Sequence, residues 1–352
     1  DSALIRESET LRLGAFASDL DITPAGDRAV IPVRGERSIL LIDVDEDGPD
    51  LLACGEDEDL SCDTNHKVTS NDSLTLPIEP YEVAVVDMSE TNGDGSSSPV
   101  TLGFATHLAG GQVSLFSISR GAAGSPVQAE LLSVIDGVVG GASGIATNAT
   151  NDEVYVAGRN DATPHVAVLE VKSDSENGSL TSHPWFNQTD HVDLGAEMYA
   201  GTDARGIAVS SDGKRAYLAT RTPDALVKID LENYEYMDMT TVCLNPSAVE
   251  TFSYNAETPD DTSDDTEYAF VLCFYTGQVY IVDTELMQTE VRATGSGPQA
   301  IAFDEARKLI YIANFRESNI SVLQAVPPFA QLKDVEGRVV RIGVPRLPEG
   351  HD

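Results

Sequence analysis

Arginine recurs at one register position of this chain, and guanidinium groups repeated along one face would make an anion site. The position is held in turn by Arg34, His107, Arg159, Arg221, Phe274 and Phe315; Arg316 follows the last, and Arg205 shortly precedes one of the same segments. A guanidinium is planar, permanently charged and able to fork onto carboxylates or phosphates. Several of them converging would form a funnel for anions or a docking face for a carboxylate-bearing partner. The competing reading is local pairing with carboxylates such as Asp203, Asp224 or Glu317, which contributes little where water reaches the pair.

A second candidate is Asp43, Asp45 and Asp47 followed by Gly48, a DxDxDG run in which alternate carboxylates converge on a calcium ion and glycine permits the sharp turn. The twelfth position of that loop is Cys54, where a calcium loop carries a bidentate glutamate. Asp43 also has a simpler role, because Asp230 and Asp283 hold the same repeat position and an aspartate there caps a turn. Calcium is therefore the one cofactor the sequence offers, and only Asp45 and Asp47 call for it. The acidic insertions ETNGDGSSS and AETPDDTSDDTE lack fixed spacing and read as solvated loops.

Catalytic patterns are absent. His66, His107, His165, His183, His191 and His351 are scattered without an HxH or HExxH spacing, and no GxSxG or CxxCH motif occurs. The glycine-rich run Gly137 to Gly144, GVVGGASG, has neither the GxxxxGK pattern nor a following helix, so it is no phosphate loop.

The elements that must position these residues repeat. Gly295 to Gln324, GSGPQAIAFDEARKLIYIANFRESNISVLQ, reads as a turn, a strand at Ala300 to Phe303, a charged turn, a strand at Leu309 to Ala313, a polar turn and a strand at Ile320 to Leu323. Ile207 to Asp230 and Leu20 to Asp43 align with Ile301 to Gln324 without a gap. The residue closing the second strand lies fourteen after the first apolar residue in Leu20 to Arg34, Ile145 to Arg159, Ile207 to Arg221 and Ile301 to Phe315. Val83 to His107 and Val249 to Phe274 are further copies with insertions, which makes six. A short meander cannot bury both its faces alone and must stack on its copies. Radial stacking as a β-propeller leaves only short, protected edges. Outer strands are expected near Leu51 to Cys54, Gln128 to Val134, His191 to Leu194, Asp238 to Cys243, Gln288 to Ala293 and Arg338 to Val344.

The segment GPQAIAFDEARKLIYIANFRESNISVL, with YIAN at its centre, resembles the repeat of the YVTN-type β-propeller family, whose members include lactonase-like and surface-protein propellers. The resemblance is specific in Ile301 to Leu323 and Ile207 to Asp230 and weaker in the copies with insertions. It implies a ring latched between the two chain ends, here Glu9 to Phe16 against Arg338 to Val344. The expectation is an all-β chain, one domain over residues 1–352, with six four-stranded blades, or seven if the terminal strands build a partial blade. All the second-strand turns then open on one rim.

That architecture suggests how the four cysteines pair. Cys243 closes an outer strand just before the next inner strand, and Cys273 ends a second strand near the same rim; Cys54 and Cys62 bracket the short GEDEDLS loop. Two disulfides would place the protein outside the cytoplasm, whereas four buried thiols would not. Composition narrows the partners. With 58 acidic against 22 basic residues the net charge is −36, a field that repels nucleic acid and anionic membranes. No run is long and apolar enough for a transmembrane helix, and a lipid anchor upstream of Asp1 stays open. Trp185 in HPWFNQ enters an outer strand, where an aromatic pair packs on the neighbouring blade or anchors a partner.

The function these readings converge on is a non-catalytic binding or scaffold module. It would be extracytoplasmic, in the periplasm, at the outer membrane or on the cell surface, with a protein partner in an envelope or surface assembly. The alternative is a lactonase-like hydrolase with its active site in the central channel.

Overall fold

Each repeat of the apolar register folds as an antiparallel meander. The structure, a computed structural model, describes residues 13–44, 52–55, 62–68, 70, 72–91, 97–119, 129–148, 150–159, 165–173, 179–194, 203–255, 265–330 and 340–341. The first sheet is β1 (Asp21–Ile22), β2 (Arg28–Val33), β3 (Ser38–Val44) and β4 (Leu52–Ala53). The second is β5 (Pro80–Thr91), β6 (Ser97–His107), β7 (Gln112–Ile118) and β8 (Ala129–Ile135). Next come the meanders β9 (Ala142–Asn148), β10 (Glu153–Gly158), β11 (His165–Ser173), β12 (Pro184–Asp193) and β13 (Ala204–Val209), β14 (Arg215–Arg221), β15 (Asp224–Asp230), β16 (Glu235–Thr241). These two share one eight-stranded sheet, because Asp193 on the outer edge of one pairs in parallel with Glu235 on the outer edge of the other. The chain continues with β17 (Pro246–Tyr254), β18 (Thr266–Cys273), β19 (Gln278–Asp283), β20 (Gln288–Ala293) and then β21 (Pro298–Asp304), β22 (Leu309–Asn314), β23 (Asn319–Gln324), β24 (Val340–Arg341). Among the described residues the only helical segments are two three-residue 3-10 turns, and no helix is long and apolar enough to cross a membrane.

The strands are continuously apolar for a reason. β14, RAYLATR, is buried at every residue between its two ends, because a strand sandwiched between neighbouring sheets has no solvent face. Inner strands lie against one another in chain order, β1 on β5, β5 on β9, β9 on β13, β13 on β17 and β17 on β21. Separate apolar clusters fill the successive junctions: Leu41 with Phe116, Phe104 with Phe186, Tyr155 with Leu218, Tyr217 with Val271, and Phe270 with Ile310 belong to one cluster each. Burying such a side chain contributes about 1.5–3 kcal/mol. The sheets thus stand in a propeller-like arrangement.

The junction between last and first sheets differs. The described residues contain no cluster joining β21–β24 to β1–β4, and Leu309, Tyr311, Ile320 and Val322, alternating with the buried Ile310, Ile312, Ser321 and Leu323, stay partly exposed. Of the expected latch strand Glu9 to Phe16, residues 9–12 lie outside the described residues. Its last part runs along the first sheet: Ala17 bridges Val33, and Arg34 N donates to Phe16 O at 3.0 Å. β24 pairs with β23, through Asn319 with Arg341 and Ile320 with Val340.

Two other boundaries differ from expectation. The outer strand placed at His191 to Leu194 begins at Pro184, because Phe186 is buried between the exposed Trp185 and Asn187 and so continues the alternation backwards. The one placed at Asp238 to Cys243 runs Glu235–Thr241. Both insertions lengthen hairpins, since β5 and β6 pair out to Thr91 with Ser97, and β17 and β18 out to Tyr254 with Thr266.

Candidate functional site

The inner strands enclose a cavity of about 330 Å³, lined by Asp19, Asp21, Tyr81, Glu82, Ile145, Gly206, Ile207, Ser247, Glu250 and Gln299 among others. Its walls therefore come from the start of every meander. The second strand of each meander ends toward one mouth of this cavity, which is where the arginine register must be judged.

Arg159 follows β10, Arg205 sits in β13 and Arg221 ends β14. Arg159 lies over the Tyr81 ring at 4.3 Å and donates through Nη2 to the Tyr81 hydroxyl. Arg205 Nη2 pairs with Asp203 Oδ2 at 2.7 Å. Arg221 donates through Nε to Pro246 O at 2.9 Å and through its backbone N to Asp203 O at 3.0 Å. Burial presses the Arg159 pKa down, and repulsion from Arg205 adds to it; Arg221 is lowered by burial and then by Arg205. Arg205 and Arg221 are thus tied to the same residue, Asp203, and the charge of Arg205 acts on both Arg159 and Arg221. Asp203 is the one carboxylate in an ion pair with any of them among the described residues. The Nε groups of Arg159 and Arg205 are buried without a hydrogen-bond partner.

The other register positions diverge. Arg34 is paired with Glu79 at 2.9 Å, so it takes the local-pairing role, although with a carboxylate other than those expected. Asp224 instead accepts from Asn245 N, and Glu317 from Asn319 Nδ2, both at 2.8 Å. His107 is a correction. It is fully buried, with Nε2 2.6 Å from Ser114 Oγ and Nδ1 3.2 Å from Ile78 O. Burial pushes its pKa down to about 4, so a neutral imidazole sits inside the sheet and adds no charge to the rim. Phe274 and Phe315 lie 6.4 Å apart, and Arg316 covers the Phe274 ring at 4.7 Å.

The carboxyl groups of the cavity were not singled out from the sequence. Asp19 Oδ2 accepts from Val83 N at 2.9 Å, Asp21 Oδ2 from Val85 N at 2.7 Å, and Glu82 Oε2 from Ile145 N at 3.2 Å. Each carboxylate satisfies the free edge of the next inner strand. Ser18, Ser143 and Ser247, two residues before the first apolar position of alternate repeats, do the same with carbonyls, donating to Tyr81 O at 2.6 Å, Ala204 O at 2.9 Å and Pro298 O at 3.0 Å. Enclosure raises the Asp19 pKa to about 7 against the pull of the Val83 and Leu20 amides. Burial, then the charges of Asp19 and Asp21, raise Glu250 to about 8. Burial also raises Asp21, and lifts Glu82 well above the usual range with help from Asp19, while Arg159 opposes it. Glu250 keeps accessible surface, and that surface lines the cavity, so water in the cavity screens its charge. The signal was present as single acids inside apolar strands, in LDIT, YEVAVV and AVETF.

Asp43 is engaged elsewhere, with Oδ1 2.9 Å from Arg28 Nε and Oδ2 3.5 Å from His66 Nε2. Asp45 and Asp47 lie outside the described residues. Asp230 and Asp283 cap turns as expected, accepting from Glu232 N at 2.8 Å and Leu286 N at 2.9 Å. No group of three metal-ligating side chains occurs among the described residues. The disulfides are Cys54–Cys62 and Cys243–Cys273, as the architecture suggested. Phe186 packs on Phe104 of the preceding meander at 5.6 Å, while Trp185 stays exposed beneath Lys172.

Neither a protein-family model nor a curated protein sequence matches the chain. Solved structures do. A 6-phosphogluconolactonase-like protein of Bacteroides uniformis superposes with a TM-score of 0.62 at 14% identity, over 96% of this chain and 88% of that one. The periplasmic gluconolactonase of Pseudomonas aeruginosa gives 0.57 at 15%, over 93% and 86%. Hydrazine synthase of Kuenenia stuttgartiensis gives 0.56 at 14%, over 92% and 80%. At such identities the likeness is one of fold, and the fold it defines is a β-propeller.

Proposed function

We propose that this chain is an extracytoplasmic β-propeller, one domain of six blades, that works as a non-catalytic binding module and takes anionic ligands or partners at the arginine-bearing mouth. The observation that carries this reading is the convergence of Arg159, Arg205 and Arg221 with a single paired carboxylate, in a chain of net charge −36. Repulsion among like charges costs stability, so their gathering is explained by an anion that relieves it. The two disulfides and the likeness to a periplasmic protein support the location, and a protein partner in an envelope or surface assembly fits it.

A lactonase-like hydrolase is the second reading. It is favoured by the names of two similar structures and by Asp19 and Glu250, carboxyl groups in the cavity that hold protons near neutral pH and would serve as general acids. One pair of measurements separates the two. Citrate at constant ionic strength should raise the Tm of the parent and not that of Arg159→Ala with Arg221→Ala, since each charge-assisted hydrogen bond is worth about 1.5–3 kcal/mol when dry and far less when wet. Equal shifts in both proteins would refute the anion reading. Hydrolysis of glucono-1,5-lactone above the buffer rate, lost in Glu250→Gln, would establish the second.

A further inference from the structure

The arginine cluster adjoins an apolar patch that the reading above leaves unused. Phe315 is 74% exposed, Leu244 61% and Tyr275 57%, among the most exposed large apolar side chains described. They are contiguous with the cations. Arg221 bonds to the carbonyl of Pro246, two residues after Leu244, and Phe274, whose ring Arg316 covers, lies 6.4 Å from Phe315. Arg316, beside Phe315, stands 5.2 Å over the Tyr275 ring. Leu244 and Phe274 each directly follow a disulfide cysteine, so the Cys243–Cys273 bond fixes the two segments that present Leu244 and Tyr275. Arginine and aromatic side chains held rigid at the surface are the composition of an interface centre, and rigidity removes part of the ordering cost of binding.

We propose that this sector of the rim docks an acidic segment of a partner protein, with its carboxylates on Arg159, Arg205 and Arg221 and an adjacent large apolar side chain on Leu244, Tyr275 and Phe315. The inference rests on the anion-binding reading of the rim and names its occupant. Charge selects that occupant. A carboxylate-rich segment is repelled by the rest of a chain with net charge −36 and is attracted here. A basic partner would be drawn to the remaining surface, and a second copy would bring the same net charge to the contact. A small anion would occupy the arginines and leave the apolar side chains wet.

The test is selection of random linear peptides displayed on phage against the intact, oxidised protein, followed by anisotropy measurements with the enriched peptides. Enriched sequences should combine Asp or Glu with Leu, Phe or Trp. Their affinity should fall about tenfold or more in Tyr275→Ser with Phe315→Ser, and again in Arg159→Ala with Arg221→Ala, and should weaken with salt. The substituted apolar side chains are exposed, so an unchanged Tm should accompany the loss. Absence of enrichment, or enriched peptides that bind the Tyr275→Ser, Phe315→Ser protein as they bind the parent, would overturn the inference. If citrate still stabilises the parent in that event, the anion reading survives and only the occupant is wrong; if citrate also fails, both fall. Concentration-dependent sedimentation abolished by the same two substitutions would give the patch to a second copy and overturn the assignment to a partner.

Discussion

Replacing Asp19 by asparagine should make the protein more stable at alkaline pH, opposite to the usual result of deleting a hydrogen-bonded carboxylate. The ordinary carboxyl value of 3.8 is raised to about 7 in the folded chain by enclosure. The native state therefore binds a proton that the unfolded state has already lost, and stability falls as pH rises from about 4 through about 7. At 1.36 kcal/mol per tenfold change in proton affinity the rise corresponds to about 4 kcal/mol, and screening by cavity water at a partly exposed group reduces this to about 1–2 kcal/mol. Asparagine keeps an oxygen for the Val83 amide and carries no charge to repel Asp21, Glu82 or Glu250. Urea denaturation of the parent, Asp19→Asn and the exposed-surface control Glu285→Gln at pH 5 and pH 8 would measure it. The expected gain of Asp19→Asn over both is present at pH 8 and small at pH 5. An advantage of Asp19→Asn over the parent no larger at pH 8 than at pH 5, or one matched by Glu285→Gln, would refute the reasoning, since buried His107 moves the parent alone in the opposite sense and Glu285→Gln reports only general self-repulsion of an acidic surface.

Other outcomes follow from the same geometry. Non-reducing peptide mapping should recover Cys54 with Cys62 and Cys243 with Cys273, and Cys243→Ser with Cys273→Ser should cost about 3–4 kcal/mol, the chain-entropy value for a loop of 30 residues. Four free thiols on mapping would remove the support for export. EDTA should leave the Tm unchanged, because Asp43 already pairs with Arg28 and stands beside the His66 ring; a fall abolished by Asp45→Ala would restore calcium to the DxDxDG run.

Which strand ends correspond was legible because the repeat register is a backbone property. Once Ile145 to Arg159 and Ile207 to Arg221 align, their strands must end at equivalent places, and the structure brings those two arginines together with Arg205. Side-chain direction is not carried by the register. His107 occupies the same column and points inward, because Ser114 and the Ile78 carbonyl offer both ring nitrogens partners inside the sheet. Arg34 found Glu79, which stands in a connection the alignment does not cover. The cavity acids were readable in principle. An acid within an apolar inner strand must meet something polar, but that the partner would be the next strand's free amide follows only from the ring, since Asp19 and Val83 are 64 residues apart. The latch strand could not be judged from local pattern, because its expected partner segments belong to opposite ends of the chain.

The partly exposed face of the last sheet has a consequence for how the sheets come apart. In a ring sealed at every junction each sheet has two neighbours, and none is a terminus. Among the described residues, packing runs from β1–β4 through to β21–β24 and no apolar cluster returns. Coupling among the described sheets is then that of a one-dimensional stack, each sheet acting on its nearest neighbours. Opening then has a direction. Amide exchange should begin in Leu309 to Leu323 and move inward junction by junction, while the middle meanders, welded edge to edge at Asp193 and Glu235 and carrying Arg159, Arg205 and Arg221, exchange last. The rim cluster would then stand on the slowest-breathing part of the molecule, and would keep its shape while the far side of the circle opens and closes.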